Sequence, residues 1–387
     1  MRAPPLDVIA FGATSFVGQI LCRYLLEEFG THQELKWAAA GRSKGKLEEL
    51  RASLGPEAAT LPLVVADAAD DAALRKLCAS TRVMVSTVGP YALHGEPLVR
   101  ACAESGTDYC DLTGEPEFVD RTWLDHHEEA VRTGARLVHC CGFDSIPHDL
   151  GAYFTVQQLP EGVPLTVTGY VHAHAQFSGG TFHSAVNGFG RARETIGAAK
   201  ARRRAEQRDP ARKIHAASPR IRRIPEVGGW TAPLPTIDGS VIRRSAAAVP
   251  RYGPDFTYGH NLVAKHLATI PAMTAGVGAV ALLAPLPPAR KLLLTLKDPG
   301  EGPDEATRAR SWFKLTFVGE GGGRRVVTEV SGGDPGYTET SKMLAESALC
   351  LAFDDLPETA GQLTTVAAMG DMLLTRVRDA GISFRVR

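Results

Sequence analysis

Apolar runs and amphipathic stretches take turns along the first 140 residues. LDVIAF (6–11), LKWAAA (35–40), LPLVVA (61–66), RVMVSTV (82–88), TDYCDL (107–112) and ARLVHC (135–140) are short and apolar on both faces, as strands covered from both sides are. Between them, FVGQILCRYLLEEF (16–29) carries apolar side chains three and four apart, and GKLEELRASL (45–54) is a second, more polar helical segment. Stretches near 70–79, 94–105 and 116–133 also read as helices. Strand and helix in alternation predict βαβ units. Right-handed crossovers turn these into a doubly wound parallel sheet, an α/β fold of the Rossmann type.

The pattern changes after Cys140. In GFDSIPHDLGAYFTVQQL, Ser145 stands as an N-cap with Pro147 in the first turn of a helix. PLTVTGYVHAHA (164–175), SVIRRSAAAV (240–249), WFKLTFVGE (312–320) and RRVVTEVSGG (324–333) alternate at period two. That predicts longer, half-exposed strands in a mostly antiparallel sheet, hence a second α+β domain. From Thr338 onward SKMLAESALCLAF and TTVAAMGDMLLTRVRDAG read as helices. The expected organisation is a Rossmann domain over 1–145, a second domain over 146–337, and C-terminal helices over 338–387 packing on one of the two.

Charge narrows the function. Forty-three Lys+Arg balance 43 Asp+Glu, so the formal net charge is zero and no nucleic-acid partner is expected. The seven cysteines are odd in number and scattered, and none forms a C-x-x-C pair. They support neither a disulfide framework nor a zinc site, no metal is expected, and they read as reduced thiols of an intracellular protein. MRAPPLDVIAFGAT runs straight into the first strand without a long apolar signal region, which makes the cytoplasm the expected location.

The first strand ends in Gly12-Ala13-Thr14-Ser15-Phe16-Val17-Gly18 and a helix begins at once. Gly12 permits the tight turn, backbone amides face a pyrophosphate, and Gly18 lets the helix pack closely on the sheet. Ser15 occupies the middle place of a G-x-x-G-x-x-G spacing; its Cβ disfavours a positive φ, while its hydroxyl offers a phosphate contact. The second strand ends in Ala40-Gly41-Arg42-Ser43, with Lys44 and Lys46 close by and no carboxylate for a ribose 2′-hydroxyl. A guanidinium suits a 2′-phosphate, which predicts NADP(H) rather than NAD(H), held by Arg42, Ser43 and Lys46. Asp67 either meets the adenine edge or caps the helix that begins near Asp70. Val88, Gly89 and Pro90 bring the backbone close to the nicotinamide ribose. Tyr91 either faces nicotinamide and substrate or packs in the core.

Together these motifs resemble the saccharopine dehydrogenase-like oxidoreductases, especially the bacterial branch that includes the trans-acting enoyl reductases. The pieces that carry the resemblance are GATSFVG (12–18), WAAAGRS (37–43), STVGPY (86–91), DYCDLTGE (108–115) and GFDSIPHDLG (142–151). SGGT (178–181), GEGPDE (300–305) and SGGDPGYTETSKMLAESALCLA (331–352) extend it over nearly the whole chain. The resemblance implies a Rossmann domain, a second α/β domain and NADP-linked oxidoreduction, with lipid-like acyl chains on carrier proteins as substrates in the enoyl-reductase branch. Ser15, and His183 in SGGTFHSA, depart from the family's small residues.

With an enoyl thioester, hydride reaches the β-carbon and an enolate oxyanion develops. This calls for hydrogen-bond donors near the carbonyl and a proton source for the α-carbon. Tyr91 and His183 are the catalytic candidates. Asp144, Ser145, Ser178, Gly179, Gly180 and Thr181 are the candidate substrate contacts, and His148 is a further polar group expected in the cleft. His183 can donate at neutral pH beside the permissive Gly179-Gly180 turn, or serve as a structural histidine. Ser145 reads as a helix cap before a nucleophile, and without a G-x-S-x-G elbow serine hydrolysis has no support. Cys140-Cys141 read as buried thiols.

The expected activity is NADP(H)-dependent reduction of a C=C or carbonyl group on a lipid-like acyl substrate. Two alternatives stay open. One is a saccharopine-reductase-like imine dehydrogenase, whose polycarboxylate substrate needs converging Arg or Lys. The other is a nucleotide-binding protein that works at a lipid surface without turnover. The basic segment 200–223 is a candidate dock for an acyl carrier protein or an anionic membrane, or else a solvated mobile loop. Leu267 to Ala289 holds no charged residue, but its prolines and glycines argue against a bilayer span. A buried helix or an apolar channel wall is expected there, with peripheral membrane contact open. A homodimer through the second sheet is also open.

Overall fold

The computed structural model describes residues 4–31, 35–175, 179–207, 209–296 and 302–387, the side chains of 179–181 excepted. The first six strands are β1 (Leu6–Phe11), β2 (Trp37–Gly41), β3 (Leu63–Val65), β4 (Thr81–Ser86), β5 (Asp108–Asp111) and β6 (Arg136–Val138). All are parallel, in the spatial order 3-2-1-4-5-6 of a dinucleotide-binding sheet. Side chains leave these strands alternately toward two cores. Val8 and Ala10 join one cluster, with Leu21, Leu25 and Trp37, while Ile9 and Phe11 join the other, with Leu74, Leu98 and Tyr109. That division is why the strands are apolar throughout: helices cover both faces. The chain reverses direction across the sheet between β1 and β4, and the loops at their carboxyl ends meet at this switch point.

The second unit is built on β7 (Leu165–His174), β8 (Lys213–Ala216), β9 (Arg222–Ile224), β10 (Gly229–Pro233), β11 (Asp255–Ala264), β12 (Trp312–Gly321) and β13 (Arg324–Gly332). Two strands follow from the C-terminal region, β14 (Gly361–Leu363) and β15 (Ser383–Val386). The second sheet runs β15-β13-β12-β7-β11-β10-β9, mostly antiparallel, with β11 parallel to β7 and β8. The helix Ile146–Gln157 lies across one face of it. Gly151 makes this possible, since a Cβ there would sit 2.3 Å from the ring of Phe317.

Several expectations are corrected. SVIRRSAAAV is not a strand but the helix Asp238–Ala248. Its buried positions Val241, Ile242, Ser245 and Ala246 fall at helical spacing, and its alanines favour the helix. The last fifty residues do not choose one unit. The helix Thr338–Phe353 packs on Phe16–Phe29, and β14 extends the first sheet beside β6. The helix Thr365–Asp379 packs on Ile146–Gln157, and β15 extends the second sheet beside β13.

The uncharged stretch forms two helices, Thr269–Leu283 and Pro287–Leu294, that stand largely in solvent rather than buried. Among the described residues no helix is long and apolar enough to cross a membrane. Nor is 200–223 simply a mobile loop. The helix Ala192–Ala205, β8 and β9 order much of it. Arg202 is buried against Asp120 and stacked over Trp123, and Arg212 donates to the carbonyls of Ala247, Val249 and Gly253. All seven cysteines are free thiols and buried.

Candidate active site

The loops at the carboxyl edge of the first sheet converge on one cleft. Gly12 has φ +86°, and a Cβ there would lie 2.7 Å from Val88 Cγ2 and 2.8 Å from Thr87 Oγ1. A Cβ on Gly18 would lie 2.3 Å from the Gly12 carbonyl oxygen. Gly12 is therefore required by backbone and space together, and Gly18, in the helix, by space alone. Ser15 resolves its own departure from the glycine pattern. It sits at φ −70°, ψ 162°, where any residue is at ease, and caps the helix by accepting from the Gly18 amide at 3.0 Å. Its hydroxyl also meets Thr87 Oγ1 at 3.0 Å, which ties the β1 turn to the β4 turn. Ala13 is buried behind the turn. Phe16 points away from the helix N-terminus, edge-on to Tyr337 at 5.1 Å and against Gly302 and Arg308. Thr14 and Val17 stay on the turn itself, their carbonyls accepting from Gln19 and Ser341.

At the end of β2, Ser43 caps the helix Lys44–Ser53 by accepting from the Lys46 amide. The Arg42 and Lys46 side chains are exposed, and neither has an ion-pair or hydrogen-bond partner among the described residues. Two free cations and a hydroxyl beside a helix N-terminus make a site for a phosphate dianion. Asp67 is not the cap suggested for the next helix. Its carboxylate accepts from Ala69, and the cap is Asp70, which accepts from Ala72 and Ala73.

Beyond β4, Val88 packs against Gly12 while Gly89 is exposed. Tyr91 does not face the cleft. Its ring is buried, its hydroxyl donates to the Ser86 carbonyl at 3.0 Å and accepts from the Leu112 amide at 3.3 Å, and burial pushes its pKa well up. A phenol held on both sides is a packing element. Glu115, in the loop after β5, accepts from the Tyr91 and Ala92 amides at 3.0 and 2.8 Å and from Ser184 at 2.9 Å. It thereby pins the helix Gly179–Gly190 over the edge of the sheet. His183 is half-buried on this helix, its ring 6.4 Å from that of Phe182. Gly179, Gly180 and Thr181 form the first turn of the helix, and Ser178 lies outside the described residues.

The chemistry concentrates in the loop after β6. Phe143 is wedged between His148 and Phe313, ring centroids 4.9 and 5.1 Å away, and its amide donates to Thr340. This clamps the loop between the two sheets. Ser145 is fully buried, its hydroxyl neither capping the helix nor reaching the cleft, so it is not a substrate contact. Asp144 turns the other way, and its carboxylate lies against Gly114, where a Cβ would meet Oδ2 at 2.9 Å.

Behind it stand His148, Asp238 and His260. His148 Nδ1 is 3.3 Å from Asp238 Oδ1 and His260 Nε2 is 3.5 Å from Oδ2, all three side chains almost wholly buried. Thr236 also donates to Asp238, and Tyr258 meets His260 Nδ1 at 3.1 Å. Burial works against ionisation of Asp238, but the two imidazoles and Thr236 outweigh it and hold the carboxyl well below the usual range. His148 goes the other way, lowered to about 4 chiefly by burial. Burial first, and the Asp238 charge second, push Asp144 up to about 7. Asp238 and His260 carried no motif in the sequence, and nothing local marks them.

A second cleft, about 930 Å³, opens beside His139 and Cys140 and is lined by several arginines. Arg202 and Arg244 are both engaged by Asp120, and Arg212 by backbone carbonyls. They are poorly placed to receive a substrate with several carboxylates. Cys140, also beside it, has φ +64° and a thiol that burial keeps protonated.

Residues 8–138 match the family model for the saccharopine dehydrogenase NADP binding domain. The first sheet is an NADP(H)-binding domain, and the glycine cradle and the free cations at Arg42 fit that cofactor. Over its full length the chain is 37% identical to a Mycobacterium tuberculosis protein provisionally named a trans-acting enoyl reductase, covering 99% of it. It is 34% identical to the trans-acting enoyl reductase of Mycobacterium bovis, over 97% of this chain and 96% of that one. Among solved structures, Saccharomyces cerevisiae saccharopine dehydrogenase (L-Glu forming) superposes with a TM-score of 0.55 at 12% identity, covering 99% of this chain and all of that one. That last likeness shows the fold.

Proposed function

This chain belongs to the saccharopine dehydrogenase-like NADP-dependent oxidoreductases, in the trans-acting enoyl reductase branch, and from that premise we propose that it reduces the C=C bond of an enoyl thioester on a lipid-like acyl chain, with Asp144 as proton donor. NADPH, when bound, supplies the hydride. The Gly12–Gly18 turn would hold the pyrophosphate, Arg42, Ser43 and Lys46 the 2′-phosphate, and Val88, Gly89 and Pro90 the nicotinamide ribose. As the β-carbon gains hydride, the electron pair of the double bond moves toward the α-carbon and the thioester oxygen. Asp144 then gives its proton to the α-carbon, leaving a saturated thioester and a carboxylate that is reprotonated from solvent. His183, on the helix pinned by Glu115, is the candidate donor to the thioester oxygen.

The observation that carries this reading is Asp144 itself. Its carboxyl is pushed up to about 7 at the carboxyl edge of the sheet, on a loop clamped between the two units. A group poised there holds its proton at neutral pH and can still release it. Three of the five arginines that line the second cleft, Arg202, Arg212 and Arg244, are engaged within the protein, which weighs against the imine-forming alternative. The test is NADPH oxidation followed by absorbance, with a 2-enoyl pantetheine thioester and with saccharopine-type amino acids offered separately. Turnover of the enoyl thioester, lost in Asp144→Asn, supports the reading. Turnover confined to the amino acids refutes it.

A further inference from the structure

Eight of the eighteen large apolar side chains exposed among the described residues fall between Leu267 and Leu296. They include Met273, Val277, Leu282, Leu292 and Leu296, with Leu282 78% exposed and Leu296 68%. A patch of this density on one helical pair exceeds the scattered apolar residues that any soluble surface carries. The helices Thr269–Leu283 and Pro287–Leu294 are joined by Ala284-Pro285-Leu286, and of the first only Ile270 is buried. At about 1.5 Å per residue the longer helix reaches roughly 22 Å, too short to span a bilayer but long enough to lie in its interface.

Charge decides what covers it. Between Asp255 and Asp298 the chain has no acidic residue, while Lys265, Arg290, Lys291 and Lys297 are cationic. Lys265 and Lys291 are exposed at the two flanks of the apolar face. An exposed apolar helical pair whose own charged residues are all cations complements an anionic lipid surface. The position of the pair adds function to this. It packs on the helix Gly179–Gly190, which Glu115 pins over the cleft through Ser184. Its return leg brings Gly302 and Arg308 onto Phe16 of the dinucleotide turn. The patch thus sits on the helix that Glu115 ties to the loop against which Asp144 lies.

We propose that the helical pair 269–294 docks the protein on an anionic membrane surface and admits the acyl substrate from it. The substrate route rests on the reductase reading above; the docking does not. The test is co-sedimentation of the full chain with vesicles of phosphatidylcholine alone and of phosphatidylcholine mixed with phosphatidylglycerol, NADPH binding serving as the control for folding. Wild type is expected to bind the mixed vesicles. Leu282→Glu with Leu292→Glu is expected to abolish binding, and Lys265→Glu with Lys291→Glu to weaken it about thirty-fold or more, the worth of two lost cations before the added negative charges are counted. All variants keep NADPH binding.

Failure of wild type to bind mixed vesicles overturns the proposal, as does unchanged binding by the leucine pair. A wild-type dimer that the leucine pair converts to a monomer, with no vesicle binding, assigns the patch to a second copy and also overturns it. Enoyl turnover without vesicle binding refutes docking and leaves the reductase reading standing. Vesicle binding without turnover does the reverse.

Discussion

Removing the Asp238 charge should retune Asp144 without touching it. An ordinary aspartate, with a pKa near 3.8, would be protonated in fewer than about one molecule in a thousand at pH 7. With its carboxyl pushed up to about 7, Asp144 is protonated in about half. General acid catalysis of this kind contributes about 10²–10⁴-fold. Asp144→Asn should therefore lower kcat/KM for the enoyl thioester by that factor while NADPH affinity holds. The acid must be protonated to act, so the wild-type rate should be level below about pH 7 and fall about ten-fold per pH unit above it. In Asp238→Asn the repulsion disappears, the proton is lost more easily, and the falling limb moves to lower pH. Burial is the larger cause and persists in that variant. The displacement should be about one pH unit rather than a return to the ordinary value. The assay is NADPH oxidation across pH 5–9, with cofactor binding measured on the same samples. A falling limb that stays in place in Asp238→Asn, or Asp144→Asn retaining near-wild-type activity, would refute the reasoning.

Three further outcomes follow from the geometry. Arg42→Ala should raise the Kd for NADPH about 10–100-fold, the value of a charged hydrogen bond, and leave NADH binding unchanged; fluorescence titration of both nucleotides checks this. Gly18→Ala puts a methyl group 2.3 Å from the Gly12 carbonyl oxygen. Backbone cannot yield as a side chain does, so stability should fall by about 1–3 kcal/mol in urea unfolding and NADPH binding should weaken with it. Asp120→Ala leaves Arg202, buried, and Arg244 without their shared carboxylate. Arg202 keeps Glu206 at 3.3 Å, so the loss should be about 1–3 kcal/mol of unfolding free energy, with little effect on cofactor affinity in the fraction that folds.

The cofactor half of the site was legible because its signals are local. A buried strand, a glycine turn and a helix follow one another within two dozen residues. Even the apparent defect at Ser15 has a local solution, since a serine three residues before Gly18 is an N-cap. The half to which we assign the proton donor was not legible. Asp144 stands in a recognisable motif, but its titration depends on Asp238 and on enclosure by the second sheet, and no short-range pattern carries either. Tyr91 illustrates the converse, a residue in the right loop whose hydroxyl the fold turns inward. SVIRRSAAAV misled because a short run rich in alanine and serine satisfies period two and helical spacing almost equally, and packing on Ile146–Gln157 selects the helix. The 267–289 stretch misled for a different reason. Apolar composition predicts burial only where another element is available to bury it, and among the described residues little covers these two helices.

The most direct measurement of the central claim is the fate of the hydride. NADPH carrying deuterium at the transferred position of its nicotinamide is incubated with the protein and a 2-enoyl thioester, and the product is read by mass spectrometry. The account predicts a saturated thioester with one deuterium at the β-carbon, and in deuterated water a solvent deuteron at the α-carbon that slows markedly in Asp144→Asn. Recovery of unlabelled enoyl thioester with intact NADPH, under conditions where the protein demonstrably binds the cofactor, would contradict it.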